Sequence, residues 1–208
     1  MSQFLLQCIT LDGIEISHTQ QVQQLCDAGA KWIQLRMKEA SAQEMETVAS
    51  ETKTLCDDHG ALLIINDHLE LALKVGAGGV HLGKDDMNWK AARNQAGPDF
   101  VIGGTVNSLA DAREALASNS LDYVGVGPYR FTETKKNLAP ILDEKGLGEI
   151  VDFLGDLPKV VIGGVSPNDL PAIAAMDADG VAVSSGLFNG RGLTENFKSY
   201  TESWPADD

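Results

Sequence analysis

Three cysteines are all this chain has, and 16 lysines and arginines stand against 30 aspartates and glutamates. Cys8, Cys26 and Cys56 are odd in number, and none shows Cys-x-x-Cys spacing. That excludes a disulfide framework and a thiolate zinc site, and the thiols read as reduced. A formal net charge of −14 repels nucleic-acid phosphates and anionic lipid, so neither is expected as a partner. No stretch approaches the roughly 18 consecutive apolar residues of a membrane span. Met1 to Leu6 lack a basic leader with a long apolar core. These absences predict a soluble, cytoplasmic protein. They also make any local gathering of basic side chains informative, because cations are the scarcer sign.

What is present is a repeat of strand, loop and helix. Strand-like segments fall at Phe4–Thr10, Lys31–Arg36, Ala61–Asn66, Gly79–Leu82, Phe100–Gly104, Tyr123–Val126, Lys159–Ile162 and Gly180–Ser184. Helical segments alternate with them at Thr19–Asp27, Ala42–His59, Leu69–Val75, Asn88–Gln95, Leu109–Ser118, Leu147–Leu154, Asn168–Met176 and Glu195–Ser203. Strict alternation implies a parallel sheet with right-handed crossovers. Eight units in 208 residues are the count of a closed barrel near its lower size limit of about 200 residues. An open doubly wound sheet would want a glycine-rich turn between a strand and the next helix. Gly76-Ala77-Gly78-Gly79 follows a helix and precedes a strand, the wrong order. The expectation is a single-domain (β/α)8 TIM barrel spanning residues 1–208, with Trp204–Asp208 a frayed tail.

In such a barrel the site lies at the carboxyl ends of the strands. The second strand runs Ile33-Gln34-Leu35-Arg36-Met37-Lys38. Residues two apart share a face, so Gln34, Arg36 and Lys38 form a polar face on a strand of a class usually apolar on both. A guanidinium and an ammonium there suit phosphate oxygens. The third strand ends Asn66-Asp67-His68 and the fourth Gly83-Lys84-Asp85-Asp86. Taken singly, these aspartates fit helix caps. Together they put a carboxylate on each of two adjacent loops, enough for Mg²⁺ when a substrate supplies phosphate oxygens. His81, mid-strand, reads as a packed, hydrogen-bonded core histidine. Thr105 and Asn107 follow the fifth strand. After the sixth, Thr132, Thr134, Lys135 and Lys136 make a loop of hydroxyls and ammoniums. Gly164 after the seventh strand, and Ser184 and Ser185 after the eighth, lie where these barrels often bind a monophosphate. The assembled expectation is two phosphate regions flanking one metal, with no nucleophile–base pair.

Seven motifs in order carry a resemblance: Gln34-Leu-Arg-Met-Lys38, Ile65-Asn-Asp67, Gly79-Val-His-Leu-Gly83 followed by Asp86, Tyr123-Val-Gly-Val-Gly-Pro128, Thr132-Glu-Thr-Lys-Lys136, Ile162-Gly-Gly164 and Val183-Ser-Ser185. The chain resembles the thiamine phosphate synthase family over essentially the whole barrel. The resemblance implies a transferase that joins 4-amino-5-hydroxymethyl-2-methylpyrimidine diphosphate to 4-methyl-5-(2-phosphoethyl)thiazole and releases pyrophosphate. It implies that Gln34, Arg36, Lys38, Asn66 and Lys135 bind the pyrimidine diphosphate, with Arg36, Lys38 and Lys135 acting on the leaving group. It implies Thr105 against the pyrimidine, Asp67 and Asp86 as Mg²⁺ ligands, and Thr132, Thr134, Gly164, Ser184 and Ser185 around the thiazole phosphate. Lys84, Thr105, Asn107 and Ser184 depart from the residues frequent in the family, which touches fine contacts rather than the reaction. The partners expected are these small molecules, and the sequence leaves a homo-oligomer open. Three alternatives are a thiazole tautomerase, which isomerises without joining rings, a non-catalytic protein that binds phosphorylated ligands, and a phosphosugar isomerase.

Overall fold

The computed structural model describes residues 5–131, 140–190 and 192–205. Eight parallel strands close into a barrel in chain order: β1 (Leu5–Ile9), β2 (Trp32–Leu35), β3 (Leu62–Asn66), β4 (Gly79–Leu82), β5 (Val101–Val106), β6 (Tyr123–Val126), β7 (Lys159–Ile162) and β8 (Gly180–Val183). β1 pairs with both β2 and β8, which closes the ring. The helices are α1 (His18–Asp27), α2 (Ala42–Asp58), α3 (Leu69–Val75), α4 (Trp89–Ala96), α5 (Leu109–Ser118), α6 (Glu144–Leu154), α7 (Leu170–Ala174), α8 (Ser185–Phe188) and α9 (Leu193–Ser203). This is the (β/α)8 barrel the alternation implies.

The differences from the sequence reading have local causes. β2 stops at Leu35, so Arg36 and Lys38 leave from the loop above it. α6 begins three residues earlier than the apolar pattern suggests, because Asp143 caps it and accepts from the Gly146 N–H at 2.7 Å. The seventh helical segment divides into a 3₁₀ turn, Pro167–Asp169, and the short α7. α8 has no counterpart in the sequence reading. Trp204 packs half-buried against the core, so the expected frayed tail is docked at its first residue.

Each strand faces two ways, and the two faces pack separately. Ile33, Leu35, Val80, Leu82, Ile102, Val106, Val124, Val161 and Val181 face outward into the layer between barrel and helices. Inside the barrel lies a second, smaller cluster: Ile9, Tyr123, Val160 and Ala182, with Trp32, Val101 and Ile162 packed on them. Tyr123 dominates it. Its ring meets Trp32 edge-on, with centroids 4.6 Å apart. The neighbouring strand makes room with Gly103, where a Cβ would come within 2.2–2.5 Å of the Tyr123 ring and hydroxyl. Overpacking of this kind costs typically 1–3 kcal/mol. Gly103→Ala is therefore expected to destabilise the fold by about that amount in urea titration. A change below about 0.5 kcal/mol would mean the barrel interior yields more easily than close packing allows.

Candidate active site

The β1 and β2 ends are tied together before any charge is considered. Buried Thr10 accepts from the Arg36 N–H at 2.9 Å and donates back to the Arg36 carbonyl at 3.2 Å. The same junction reaches β8, where the Ser184 hydroxyl donates to the Thr10 carbonyl at 3.4 Å. Asp12, in the loop after β1, takes the Lys38 N–H at 3.2 Å and stands 3.6 Å from Arg36 Nη1. Its other oxygen lies 3.2 Å from His18 Nε2. Thr10, Asp12 and His18 were missed in the sequence, although the criterion applied to the other strands, polar groups just past a strand end, would have found Asp12.

Lys38 extends from this junction to the β3 loop, where its ammonium donates to Asp67 Oδ2. Asp67 in turn hydrogen-bonds Asp86 from the β4 loop. Neither aspartate is a helix cap. α3 starts after His68 with no side-chain cap, and α4 is capped by Asn88, which accepts from the Lys90 and Ala91 N–H groups at 3.1 and 3.3 Å. The capping alternative for Asp67, Asp85 and Asp86 is therefore set aside. Asp67 also holds an unusual backbone. Its φ is +65°, and the His68 N–H closes a three-residue turn onto the Asn66 carbonyl at 2.8 Å. A turn of that size with positive φ is the rarer, strained form, and such strain concentrates at functional sites.

The two carboxyls titrate as a pair. Burial opposes ionisation of Asp67, yet the bonds from Lys38 and Asp86 outweigh it and hold its pKa below the usual carboxylate range. Burial, followed by the bond to Asp67, pushes Asp86 up, despite a backbone N–H donated by Gly83 at 2.7 Å. One carboxyl moved down and its neighbour up is what two like charges held together produce. Ionised, the pair presents two oxygen ligands side by side, a fit for a hard divalent cation. Among the described residues no group of three or more histidines, cysteines or acids converges on one point. A cation here therefore needs further oxygens from ligand or water.

The remaining site residues fall into three sets. Gln34, 2% exposed, lies inside the barrel and donates to Gln7 Oε1 at 3.1 Å. Asn66 and Thr105, half-buried, end the inward faces of β3 and β5. Gly164 and Ser184–Ser185 follow the adjacent strands β7 and β8. The Gly163–Gly164 turn has φ of +99° and +64° and is packed by the chain after β6: a Cβ on Gly164 would meet Arg130 Cβ at 2.9 Å. Arg130 is anchored there by a bidentate pair with buried Asp169 at 2.9 and 2.5 Å. Thr132, Thr134, Lys135 and Lys136 lie outside the described residues. Lys84 pairs with Asp111 at 2.5 Å. Asn107 donates its N–H to the same carboxylate at 2.8 Å and its side-chain amide to the Gly127 carbonyl at 2.5 Å.

The division of labour between Asn88 and Asp86 is testable by chemical denaturation. Loss of a cap costs about 1 kcal/mol, so Asn88→Ala is expected to lower stability by that much. Asp86→Asn keeps an oxygen for Gly83 and is expected to cost less than half as much. The reverse order would return Asp86 to a structural role.

Comparison with known proteins identifies the family. The family model described as thiamine monophosphate synthase matches residues 6–187. The thiamine-phosphate synthase of Bacteroides fragilis is 42% identical over 197 residues, 93% of this chain and 96% of that protein. That of Bacteroides thetaiotaomicron is 43% identical over 183 residues, 86% of this chain and 87% of that protein. The solved thiamine phosphate pyrophosphorylase from Pyrococcus furiosus superposes with a TM-score of 0.84 at 29% identity, over 95% of this chain and 94% of that one. With a family match across most of its length and curated relatives above 40% identity, the chain belongs to the thiamine monophosphate synthase family of transferases.

Proposed function

We propose that this barrel joins 4-amino-5-hydroxymethyl-2-methylpyrimidine diphosphate to 4-methyl-5-(2-phosphoethyl)thiazole, with Asp67 and Asp86 holding Mg²⁺ against the diphosphate. Membership of the family makes the chain a transferase of thiamine biosynthesis. The observation that carries the finer reading is the contact of Lys38, Asp67 and Asp86 at the carboxyl end of the barrel. A carboxyl pair beside an ammonium suits a substrate that brings its own phosphate oxygens to a metal.

The chemistry asks little of a general base. The thiazole nitrogen lone pair forms a bond to the pyrimidine methylene carbon. The carbon–oxygen bond to the diphosphate breaks, and its electron pair leaves on the diphosphate oxygen. No proton needs to be removed from the nucleophile, which agrees with the lack of a nucleophile–base pair in the motifs read above. What the reaction needs is stabilisation of the leaving charge and alignment of two rings. Mg²⁺, when bound, supplies Lewis-acid stabilisation of the departing diphosphate. Arg36 and Lys38 add fixed positive charge, and Lys135 is proposed to join them. Arg36 is the better oriented of the first two, since Thr10 clamps its backbone and Asp12 stands beside its guanidinium. Gln34, Asn66 and Thr105 are proposed to hold the pyrimidine. Thr132, Thr134, Gly164, Ser184 and Ser185 are proposed to hold the thiazole phosphate.

The test is to mix purified protein with both phosphorylated substrates, with and without Mg²⁺, and to convert product to fluorescent thiochrome. Product that requires Mg²⁺ is expected, and its absence from folded protein with intact substrates would overturn the reading. Asp86→Ala is expected to lower turnover by at least about a hundredfold with the fold retained, as for loss of a metal-positioning group. Mg²⁺ affinity is also expected to be pH-linked. Because the Asp86 pKa is raised, a cation competes with a proton there over a pH range that begins higher than for an ordinary carboxyl. Affinity should therefore fall as pH drops through and below that raised pKa. Calorimetric titration at several pH values that gave a flat response would remove Asp86 from the metal site.

A further inference from the structure

The barrel interior contains a polar chain whose middle members, Gln7, Tyr123 and His81, have no part in the reaction above. It starts at Gln34 beneath the Arg36 junction. Gln34 Nε2 donates to Gln7 Oε1 at 3.1 Å, and Gln7 Nε2 donates to the Tyr123 hydroxyl at 2.9 Å. That hydroxyl lies 3.0 Å from His81 Nδ1, and His81 Nε2 lies 3.0 Å from Thr105 Oγ1. Gln34, Gln7 and Tyr123 are 2%, 1% and 3% exposed, whereas Thr105 is half-buried at the mouth. Five residues from five strands thus link one side of the barrel mouth to the other through its centre.

Donor counting gives the chain a direction. The Tyr123 oxygen accepts from Gln7, and the acceptor within reach of its own proton is His81 Nδ1. Phenol is the strongest neutral donor in the chain and an imidazole nitrogen its strongest acceptor, so this pairing is also the favoured one. Burial holds Tyr123 protonated across the working pH range. With Nδ1 accepting, the histidine proton sits on Nε2 and is given to Thr105. The Thr105 oxygen then accepts one bond from within the barrel, and its own proton is free to turn toward the mouth.

We propose that Tyr123 and His81 are positioning residues that polarise Thr105 as a hydrogen-bond donor toward a ring nitrogen of the pyrimidine. This rests on the proposed function in its choice of ligand. A hydroxyl free to rotate would serve a ring nitrogen and an exocyclic amine alike, whereas a polarised one selects the acceptor. Gly103 makes the arrangement possible, since a Cβ there would strike the Tyr123 ring and hydroxyl.

The test has two arms. In the first, the full chain labelled with ¹⁵N-histidine is examined by long-range proton–nitrogen correlation. His81, one of four histidines, is assigned by the signal that His81→Gln removes. The expected result is a ring with bare Nδ1 and protonated Nε2. A protonated Nδ1 would overturn the proposal whatever the enzyme turns over. In the second, Tyr123→Phe is expected to raise KM for the pyrimidine diphosphate about tenfold, the scale of one good hydrogen bond. KM for the thiazole phosphate should stay within twofold. Equal losses for both substrates, or none, would overturn the positioning role. Failure of the first arm alone leaves the proposed reaction standing, and absence of product leaves the first arm to be judged on its own.

Discussion

The hydroxyl of Tyr123 sits inside the barrel on a side chain that is 3% exposed and closely packed by Gly103. A closed eight-stranded barrel must fill its own axis with side chains. This one fills part of it with a phenol, an imidazole and two amides. Each of these groups would be costly to bury unpaired, at roughly 1–3 kcal/mol apiece. They are paired with one another instead, through bonds of 2.9–3.1 Å that join β1, β2, β4 and β6. The register of all four strands is therefore held by the same contacts that link the two sides of the mouth.

Above that interior the loops use a different kind of bond. Thr10, Asp12, Arg36 and Lys38 lock the β1 and β2 ends together, and Lys38 carries the connection to Asp67 and Asp86. Opposite charges lie beside like charges here. One ammonium serves Asp67, and the two carboxyls part in pKa, Asp67 held down and Asp86 pushed up. A phosphorylated ligand with its cation would exchange these partners for stronger ones. The strained turn at Asp67 and the clamp on Arg36 keep the exchanged groups in place before any ligand arrives.

Much of the fold is legible in the sequence because its period is regular. Alternation along Ile33 to Lys38 separates the outward and inward faces, and the outward residues do pack beneath the helices. Eight short apolar runs at similar spacing specify the barrel. The aspartates after β3 and β4 can be paired in advance, since neighbouring strands in the chain are neighbours in the ring. The interior chain could not be read this way. Gln7 and Tyr123 are 116 residues apart, and their contact depends on stagger across the barrel rather than on adjacency. Nor could the helix-cap alternative for Asp86 be decided in advance, because Asn88 two residues on carries the same chemistry and takes the role. Asp12 was legible by position, three residues past the end of β1.

The central claim is that the Lys38–Asp67–Asp86 contact is where a diphosphate and its cation bind. The most direct measurement follows backbone amide signals of the isotope-labelled protein as inorganic pyrophosphate is added, first without and then with Mg²⁺. The account predicts shifts centred on Arg36 to Lys38, Asp67 and Gly83 to Asp86 that grow markedly when Mg²⁺ is present and disappear in Asp86→Asn. Shifts centred elsewhere, or a response indifferent to both Mg²⁺ and Asp86, would contradict it.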